Sequence, residues 1–334
     1  MSSSEFSYTV IGGGSWGCAL GILLAGNGKK VALWDIDSSH MESMSTDREN
    51  KRYLPGISFP QNLHICSDIG YTIRNSEIIL VVVPSEYFRN ALESIAPFFD
   101  KNNICWATKG LDANSGGLLH QTAIEILPSL KKFAVISGPN FAKEVAKGLP
   151  TAVTVASNDD DFAQLVANDL HNNSFRPYIS NDIIGVEAGG AVKNVLAVAA
   201  GISDGLGYGA NARAGLITRG LKEISVLGKA LGAKAETFSG LAGLGDLILT
   251  CTDDQSRNRR FGLSLGQGKK TNDIIQEIGQ AIEGIRTSYE IEQLSKKHKV
   301  EMPICHEVFE VIHNNKKPTD AVKTLLSRPA KKEQ

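Results

Sequence analysis

Tyr8-Thr9-Val10-Ile11-Gly12-Gly13-Gly14-Ser15-Trp16-Gly17 is the stretch that decides the fold. A short apolar run of strand character enters a G-x-G-x-x-G turn, and a helical pattern opens at Trp16. Gly12 permits the tight turn, Gly14 has no side chain to block a pyrophosphate, and Gly17 lets the helix lie close to the strand. The helix start then offers unpaired N–H groups and the positive end of a dipole. A lone glycine turn can equally be a flexible loop. Here a strand precedes it, a helix follows it, and an acid, Asp35, comes about 20 residues on, which together point to a dinucleotide. Asp35 ends the run Val31–Trp34, where a carboxylate can accept from the ribose hydroxyls of NAD and repels a 2′-phosphate. Asp37 competes for that role, and either acid could instead cap the next helix.

Outward from this turn, short apolar runs alternate with helical patterns. The expected strands are Tyr8–Ile11, Lys30–Trp34, His64–Cys66, Ile78–Val83, Asn103–Thr108, Phe133–Ser137 and Ala152–Ala156. Continuous runs such as Ile78–Val83 suit strands buried on both faces of a parallel sheet. Helical patterns such as Trp16–Gly26, Tyr87–Ala96 and Gly117–Ile126 lie between them, so the first half reads as a doubly wound, Rossmann-like α/β domain. From about Gly189 the patterns are helical: Val192–Ile202, Gly215–Leu231, Gly262–Leu265, Thr271–Ile278, Thr287–Lys296 and Ile304–Asn314. The expected organisation is a dinucleotide-binding domain over 1–188 and an all-α substrate and catalytic domain over 189–334. The second begins directly with a helix, and the polar tail Ser327–Gln334 is expected to fray.

The 334 residues fit two domains, and 42% hydrophobic with 21% charged residues fits a globular chain. The formal charge of −1, from 35 basic and 36 acidic residues, gives no bulk attraction to nucleic acid or an acidic membrane. The five cysteines are scattered without a C-x-x-C pair, which argues against a disulfide framework or structural zinc and for a reduced, cytoplasmic setting. The N-terminus lacks a basic region followed by an apolar stretch, and no apolar run long enough for a membrane span stands out.

In a doubly wound sheet, ligands sit beyond the carboxyl ends of the strands. Val83-Pro84-Ser85 stiffens one end, where a nicotinamide ring could rest, or is an ordinary strand stop. Lys109 ends the next strand and projects into the crevice, unless it is a solvated surface lysine. Gly138-Pro139-Asn140 ends another, exposing backbone N–H groups and an amide, unless it is only a capped turn. In the second half, Lys193 interrupts the apolar, small-residue stretch Gly189–Gly201. A lysine on a mostly buried surface loses solvation and can exchange protons near neutrality, as ketone reduction requires; alternatively it snorkels to the surface. The glycine-rich run ending in Asp246 could orient a lysine or accept from a substrate hydroxyl. Ser256-Arg257-Asn258-Arg259-Arg260 can donate to a phosphate. Without a wider basic excess or nearby aromatics, that arginine run does not read as a nucleic-acid site.

These pieces resemble the bacterial-type NAD(P)-dependent glycerol-3-phosphate dehydrogenases. The distinctive segment is GAVKNVLAVAAGISDGLGYGAN at 190–211, with GGGSWG at 12–17, KGL at 109–111, GPNFAKE at 138–144, GLGD at 243–246, SRN at 256–258 and EG at 283–284 in the same order. The resemblance covers about residues 8–325. It implies interconversion of dihydroxyacetone phosphate and sn-glycerol 3-phosphate, supplying the glycerol phosphate of phospholipids in the cytoplasm. It implies Lys193 as proton donor and acceptor. Lys109, Gly138, Asn140, Asp246, Ser256, Arg257 and Asn258 would hold substrate, and Ser15, Trp16, Lys109, Ala142, Arg257, Ala281 and Glu283 would touch the cofactor. The expected partner is a phosphorylated small molecule, with no nucleic acid or membrane, and a homodimer is suggested by the resemblance alone.

Two positions depart from the family pattern. Asn140 stands where a hydroxyl residue is frequent. Asp35-Ile36 stands where a small and then a basic or imidazole residue is frequent, so the cofactor is expected to be NAD or NADP with a lean toward NADH. Arg48, Lys51 and Arg52 would restore NADPH binding if they folded over the ribose. The competing readings are a two-domain dehydrogenase of another small hydroxy acid or sugar acid, and a non-catalytic dinucleotide-sensing regulator, which would keep the glycine turn and lose the proton donor.

Overall fold

A computed structural model describes residues 4–100, 103–330 and 332–333. Parts of the readings on the two chain ends, at residues 1–3, 331 and 334, lie outside the described residues. The chain divides into two compact units, Met1–Glu187 and Ala188–Gln334.

The first unit is built on strands β1 (Phe6–Ile11), β2 (Val31–Trp34), β3 (Leu63–Ile65), β4 (Ser76–Val81), β5 (Asn103–Trp106), β6 (Phe133–Ser137), β7 (Thr151–Ser157) and β8 (Phe175–Ser180). Its helices are α1 (Ser15–Gly26), α2 (Ser38–Asp47), α3 (Ile69–Arg74), α4 (Phe88–Ile95), α5 (Leu119–Ile126), α6 (Ala142–Ala146) and α7 (Asp160–Leu170). The strands form one sheet in the order β3-β2-β1-β4-β5-β6-β7-β8. The order turns between β1 and β4, and the glycine turn leaves β1 at that point, where such sheets bind ligands. The central strands are apolar on both faces because helices cover both sides: Val10, Ile79, Leu80, Ile104 and Cys105 have no accessible surface.

The sheet departs from the all-parallel expectation at one place. β7 runs antiparallel to β6, with Ser137 opposite Thr154. The five-residue α6 rises only about 7 Å, less than the roughly 16 Å length of β6. α6 is thus too short to serve as a crossover helix along the whole strand, and β7 pairs back antiparallel.

In the second unit, every regular element among the described residues after 188 is helical. These are α8 (Ile183–Gly205), whose first turn belongs to the first unit, α9 (Ala210–Ala230), α10 (Asp246–Thr252), α11 (Arg257–Gly266), α12 (Thr271–Ile278), α13 (Glu283–His298), α14 (Pro303–His313) and α15 (Pro318–Leu326). The 23-residue α8 is long and apolar enough by composition to cross a bilayer, contrary to the expectation that no such run exists. It is a core helix instead: 89% of its apolar window is buried inside the protein, and it carries Glu187 and Lys193. Glu187 accepts from the Trp106 indole at 3.2 Å and the His120 backbone N–H at 3.0 Å, and it meets the His120 ring at 2.6 Å.

Helices α8 and α11 meet along a seam of glycines. A Cβ on Gly201 would run into the Arg259 carbonyl, and one on Gly205 into that of Leu263. Gly262 and Gly266 in turn face the Val198 and Ile202 carbonyls. Backbones this close leave no room for any side chain.

Glu223 of α9 is buried at the start of α14, accepting from the N–H groups of Ile304 at 2.7 Å and Cys305 at 3.1 Å. Burial pushes its carboxyl up from 4.5 to about 7, against the opposing pull of those two N–H groups. The folded chain therefore holds this proton to higher pH than the unfolded chain. Its stabilisation is full below about 4.5 and is lost as pH rises through about 7, a change on the order of 3 kcal/mol. Melting temperature measured across this window is expected to fall with a component that Glu223→Gln removes; an unchanged slope in that variant would rule the assignment out.

Candidate active site

The glycine turn has the geometry expected of a phosphate cradle. Gly12 lies at φ +117°, and a Cβ there would strike the Val82 carbonyl. A Cβ on Gly17 would strike the Gly12 carbonyl, which is why the helix can start so close to the strand. Around Gly14 a Cβ would meet nothing within 4 Å, so that side is open. No side chain caps α1 and no acid lies in its first turn, leaving its N–H groups for an anion. The Trp16 indole Nε1 is buried without a partner beside this turn. An open cradle, an uncapped helix and an orphaned donor fit a dinucleotide.

The two candidate acids separate. Asp37 caps α2, accepting from His40 N at 3.0 Å and from the Ser39 hydroxyl at 2.7 Å, and pairs with Arg52 at 3.2 Å. Those donors, the His40 N–H first, hold its carboxyl below the usual carboxylate range. Asp35 instead meets the glycine turn: its Oδ2 accepts from Gly13 N at 2.5 Å and its Oδ1 from Asp37 N at 3.0 Å. On the other side of the same residue, the fully buried Asn50 donates to the Gly13 carbonyl at 2.8 Å. Asn50 was not singled out from sequence, since nothing in the charged stretch around it signals burial.

At the other strand ends, Lys109, Gly138 and Asn140 come together. Lys109 Nζ donates to the Gly138 carbonyl at 2.9 Å and reaches Asn140 Oδ1 at 3.4 Å, while Asn140 Nδ2 donates to the same carbonyl at 2.7 Å. Gly138, at φ +134°, faces the β7 backbone, where a Cβ would press on Val153 Cα at 3.1 Å. Gly110, at φ +141°, would clash with Ser85 if it had a side chain, so the Pro84-Ser85 and Lys109-Gly110 ends are fitted to each other. Ala142 opens α6, half-buried against the core of this unit.

In the second unit Lys193 is 7% exposed and its Nζ donates to Asp246 Oδ1 at 2.6 Å and to Thr250 Oγ1 at 3.1 Å. The pairing follows from local structure. A single π-turn at Leu241–Gly245, closed by Gly245 N to the Gly240 carbonyl at 3.1 Å, delivers Asp246 to the head of α10. Gly189 of α8 lies so close to this turn that a Cβ would hit the Ala242 carbonyl. Asp246, with no exposed surface, gives the buried ammonium its counterion. Of the two roles open to Asp246, orienting a lysine is the one its contacts serve. Thr250 was missed, although it stands one helical turn past Asp246, where side chains meet. It donates to the Asp246 carbonyl at 2.6 Å.

The arginine run divides by helical phase. Ser256 caps α11, its Oγ accepting from Arg259 N at 3.2 Å. Arg259 turns inward to Asp204 at 2.6 Å, to Asp254 and to the Cys251 carbonyl. Arg260 is exposed, and Arg257 is half-buried with no carboxylate partner among the described residues. Asn258 uses both ends of its amide: Oδ1 accepts from Gly284 N at 2.9 Å and Nδ2 donates to Asn194 Oδ1 at 3.0 Å. Asn194 in turn donates to Glu283 Oε2 at 3.0 Å, so Glu283 is tied to α8, while Ala281 is exposed.

The sequence model of the NAD-dependent glycerol-3-phosphate dehydrogenase N-terminus matches residues 7–163, and that of the C-terminus matches residues 182–323. The chain is 51% identical over 333 residues to a glycerol-3-phosphate dehydrogenase [NAD(P)+] of Aeromonas hydrophila, covering 99% of this chain and 100% of that one. A Salmonella paratyphi B protein of the same description is 51% identical over 335 residues, covering 100% and 99%. The crystal structure of glycerol-3-phosphate dehydrogenase from Coxiella burnetii superposes with a TM-score of 0.94 at 47% identity, over 97% of this chain and 99% of that one. The corresponding yeast enzyme does so at 0.82 and 27% identity, over 96% and 99%. The chain belongs to the family of NAD-dependent glycerol-3-phosphate dehydrogenases.

Proposed function

We propose that the chain interconverts dihydroxyacetone phosphate and sn-glycerol 3-phosphate with NAD(P)H, and that Lys193 handles the proton. The observation that carries this reading is the buried Lys193–Asp246 pair, 2.6 Å apart. A reduced nicotinamide held at the glycine turn would supply a hydride to the ketone carbon. The carbonyl oxygen then needs a proton, which the Lys193 ammonium gives; in the reverse direction the amine takes the hydroxyl proton back. Asp246 and Thr250 fix the Nζ and limit its freedom before the reaction.

In the second unit, Arg257 and the Ser256 hydroxyl are the donors left for a phosphate, with Asn258 holding the head of α11 in place. Lys109, Gly138 and Asn140 take the substrate-binding roles that the family resemblance implies for the first unit. Ser15, Trp16, Lys109, Ala142, Arg257, Ala281 and Glu283 take the cofactor roles. Assigning 1–188 to the dinucleotide and 189–334 to the substrate and catalysis is supported by the glycine turn in the first and the Lys193–Asp246 pair in the second, although each part also lends residues to the other ligand. A cytoplasmic setting is supported by the five free thiols, four of them buried. A homodimer without nucleic-acid or membrane partners completes the reading, and supply of glycerol phosphate to phospholipid synthesis is its metabolic sense.

The test is oxidation of NADH or NADPH on addition of dihydroxyacetone phosphate; no turnover by the wild-type chain with either cofactor would overturn the proposal. Arg257→Gln is expected to raise KM for the phosphorylated ketone by about 10–100-fold, the value of one charged hydrogen bond. Unphosphorylated dihydroxyacetone, assayed with the cofactor saturating because Arg257 also takes a cofactor role, provides the control: its kcat/KM should hardly change. An equal loss on both ketones would remove Arg257 from the phosphate.

A further inference from the structure

Beyond Asp35, the hydride and proton steps make no use of the charged stretch 35–53, yet the structure fastens it to the glycine turn. Asn50, fully buried, donates to the Gly13 carbonyl at 2.8 Å and accepts from Tyr53 N at 3.0 Å. The Arg52 guanidinium lies over the Tyr53 ring, 4.9 Å from its centroid, and reaches Asp37 at 3.2 Å. Arg52 is thus held near the end of β2, beside Asp37.

The other two basic side chains of this stretch are engaged elsewhere. Arg48 donates to the carbonyls of Leu63 at 2.8 Å and Pro60 at 2.6 Å, and Lys51 pairs with Asp47 at 2.7 Å. The carboxyl end of β2 therefore presents two acids, Asp35 and Asp37, against one guanidinium. That local charge accepts ribose hydroxyls and disfavours a 2′-phosphate, which carries close to two negative charges.

We propose that Asp37 and Arg52 form the cofactor-specificity element of this chain: Asp37 occupies Arg52 and selects NADH, and Arg52 is a latent receptor for the 2′-phosphate of NADPH. The inference rests on the dinucleotide reading of the glycine turn. Removing the Asp37 charge exchanges a neutralised guanidinium for a free one, which can take a phosphate with two parallel hydrogen bonds. Asparagine at 37 keeps an oxygen for the His40 N–H, so the cap on α2 survives the substitution.

The experiment measures Kd for NADH and for NADPH separately by nicotinamide fluorescence, without substrate. It compares the wild type, Asp37→Asn, Arg52→Gln and the double variant, each checked by thermal melting. Asp37→Asn is expected to shift the ratio of the two Kd values about tenfold toward NADPH, and Arg52→Gln in the same chain should abolish the shift. Because these groups are partly exposed, the shift should also shrink as salt rises from about 0.05 to 0.5 M. An unchanged ratio in Asp37→Asn, or a gain that survives Arg52→Gln, overturns the gate while leaving the dinucleotide site standing. Failure of the wild type to bind either cofactor overturns the dinucleotide reading and the gate with it.

Discussion

Lys193→Ala is expected to lower kcat for dihydroxyacetone phosphate by about 10²–10⁴-fold, the usual contribution of a positioned proton donor. KM should move far less, because the phosphate is assigned to other side chains. The substitution also strands Asp246, which has no exposed surface, and an uncompensated buried charge costs about 3–5 kcal/mol. Loss of activity alone would therefore not separate chemistry from folding. Two further measurements do. Lys193→Ala combined with Asp246→Asn removes both charges and should regain most of the melting temperature without regaining turnover. A small primary amine added to Lys193→Ala should restore part of kcat in proportion to its concentration. Retention of more than one tenth of wild-type kcat in the single variant would remove Lys193 from the proton step.

Gly201→Ala is expected to destabilise the second unit by about 3 kcal/mol or more, since a methyl there meets backbone that cannot rotate aside. In a unit of this size that corresponds to a fall in melting temperature of roughly 6–12 °C. Gly215→Ala makes the comparison sharp. Gly215 also lies inside a helix, but a Cβ there meets nothing within 4 Å, so the change should stabilise by up to about 1 kcal/mol through helix propensity. Thermal melting of the two variants should therefore move in opposite directions. A similar response from both would mean that the α8–α11 approach is looser than the structure has it.

Much of the first unit was legible because its strands are buried on both faces and its helices are amphipathic or small-residue rich. Ile78–Val83 could be little else than a central strand, and the turn after Ile11 named its own ligand class. The beginning of α8 was less legible: the helical pattern was placed from Val192, yet the helix runs from Ile183 through Gly189 and Gly190 to Gly205. Gly189 is there because a carbonyl of the π-turn occupies the space of its Cβ, and that neighbour comes from far along the chain. The same limit explains the site. Lys193 stands out as a lone cation in an apolar run, and Asp246 as an acid after glycines. Their pairing, and the commitment of Asn258 to Asn194 and Gly284, depend on tertiary contacts that periodicity does not encode. Arg257 and Arg259 look alike in sequence; helical phase and the position of Asp204 turn Arg259 toward the interior and leave Arg257 without a carboxylate partner among the described residues.

The glycine seam also acts as a gauge. Two helices with side chains between them can settle at several heights by exchanging rotamers. Gly201, Gly205, Gly262 and Gly266 remove that choice, because bare backbone fits bare backbone at a single height. Lys193 rides on one helix of the pair, and Ser256 and Arg257 sit at the head of the other. A slip of one turn would carry the arginine about 5.4 Å along α8, more than the length of the ester link between a carbon and its phosphorus. The distance between Lys193 and Arg257, proposed here as proton donor and phosphate donor, is thus set by residues away from both.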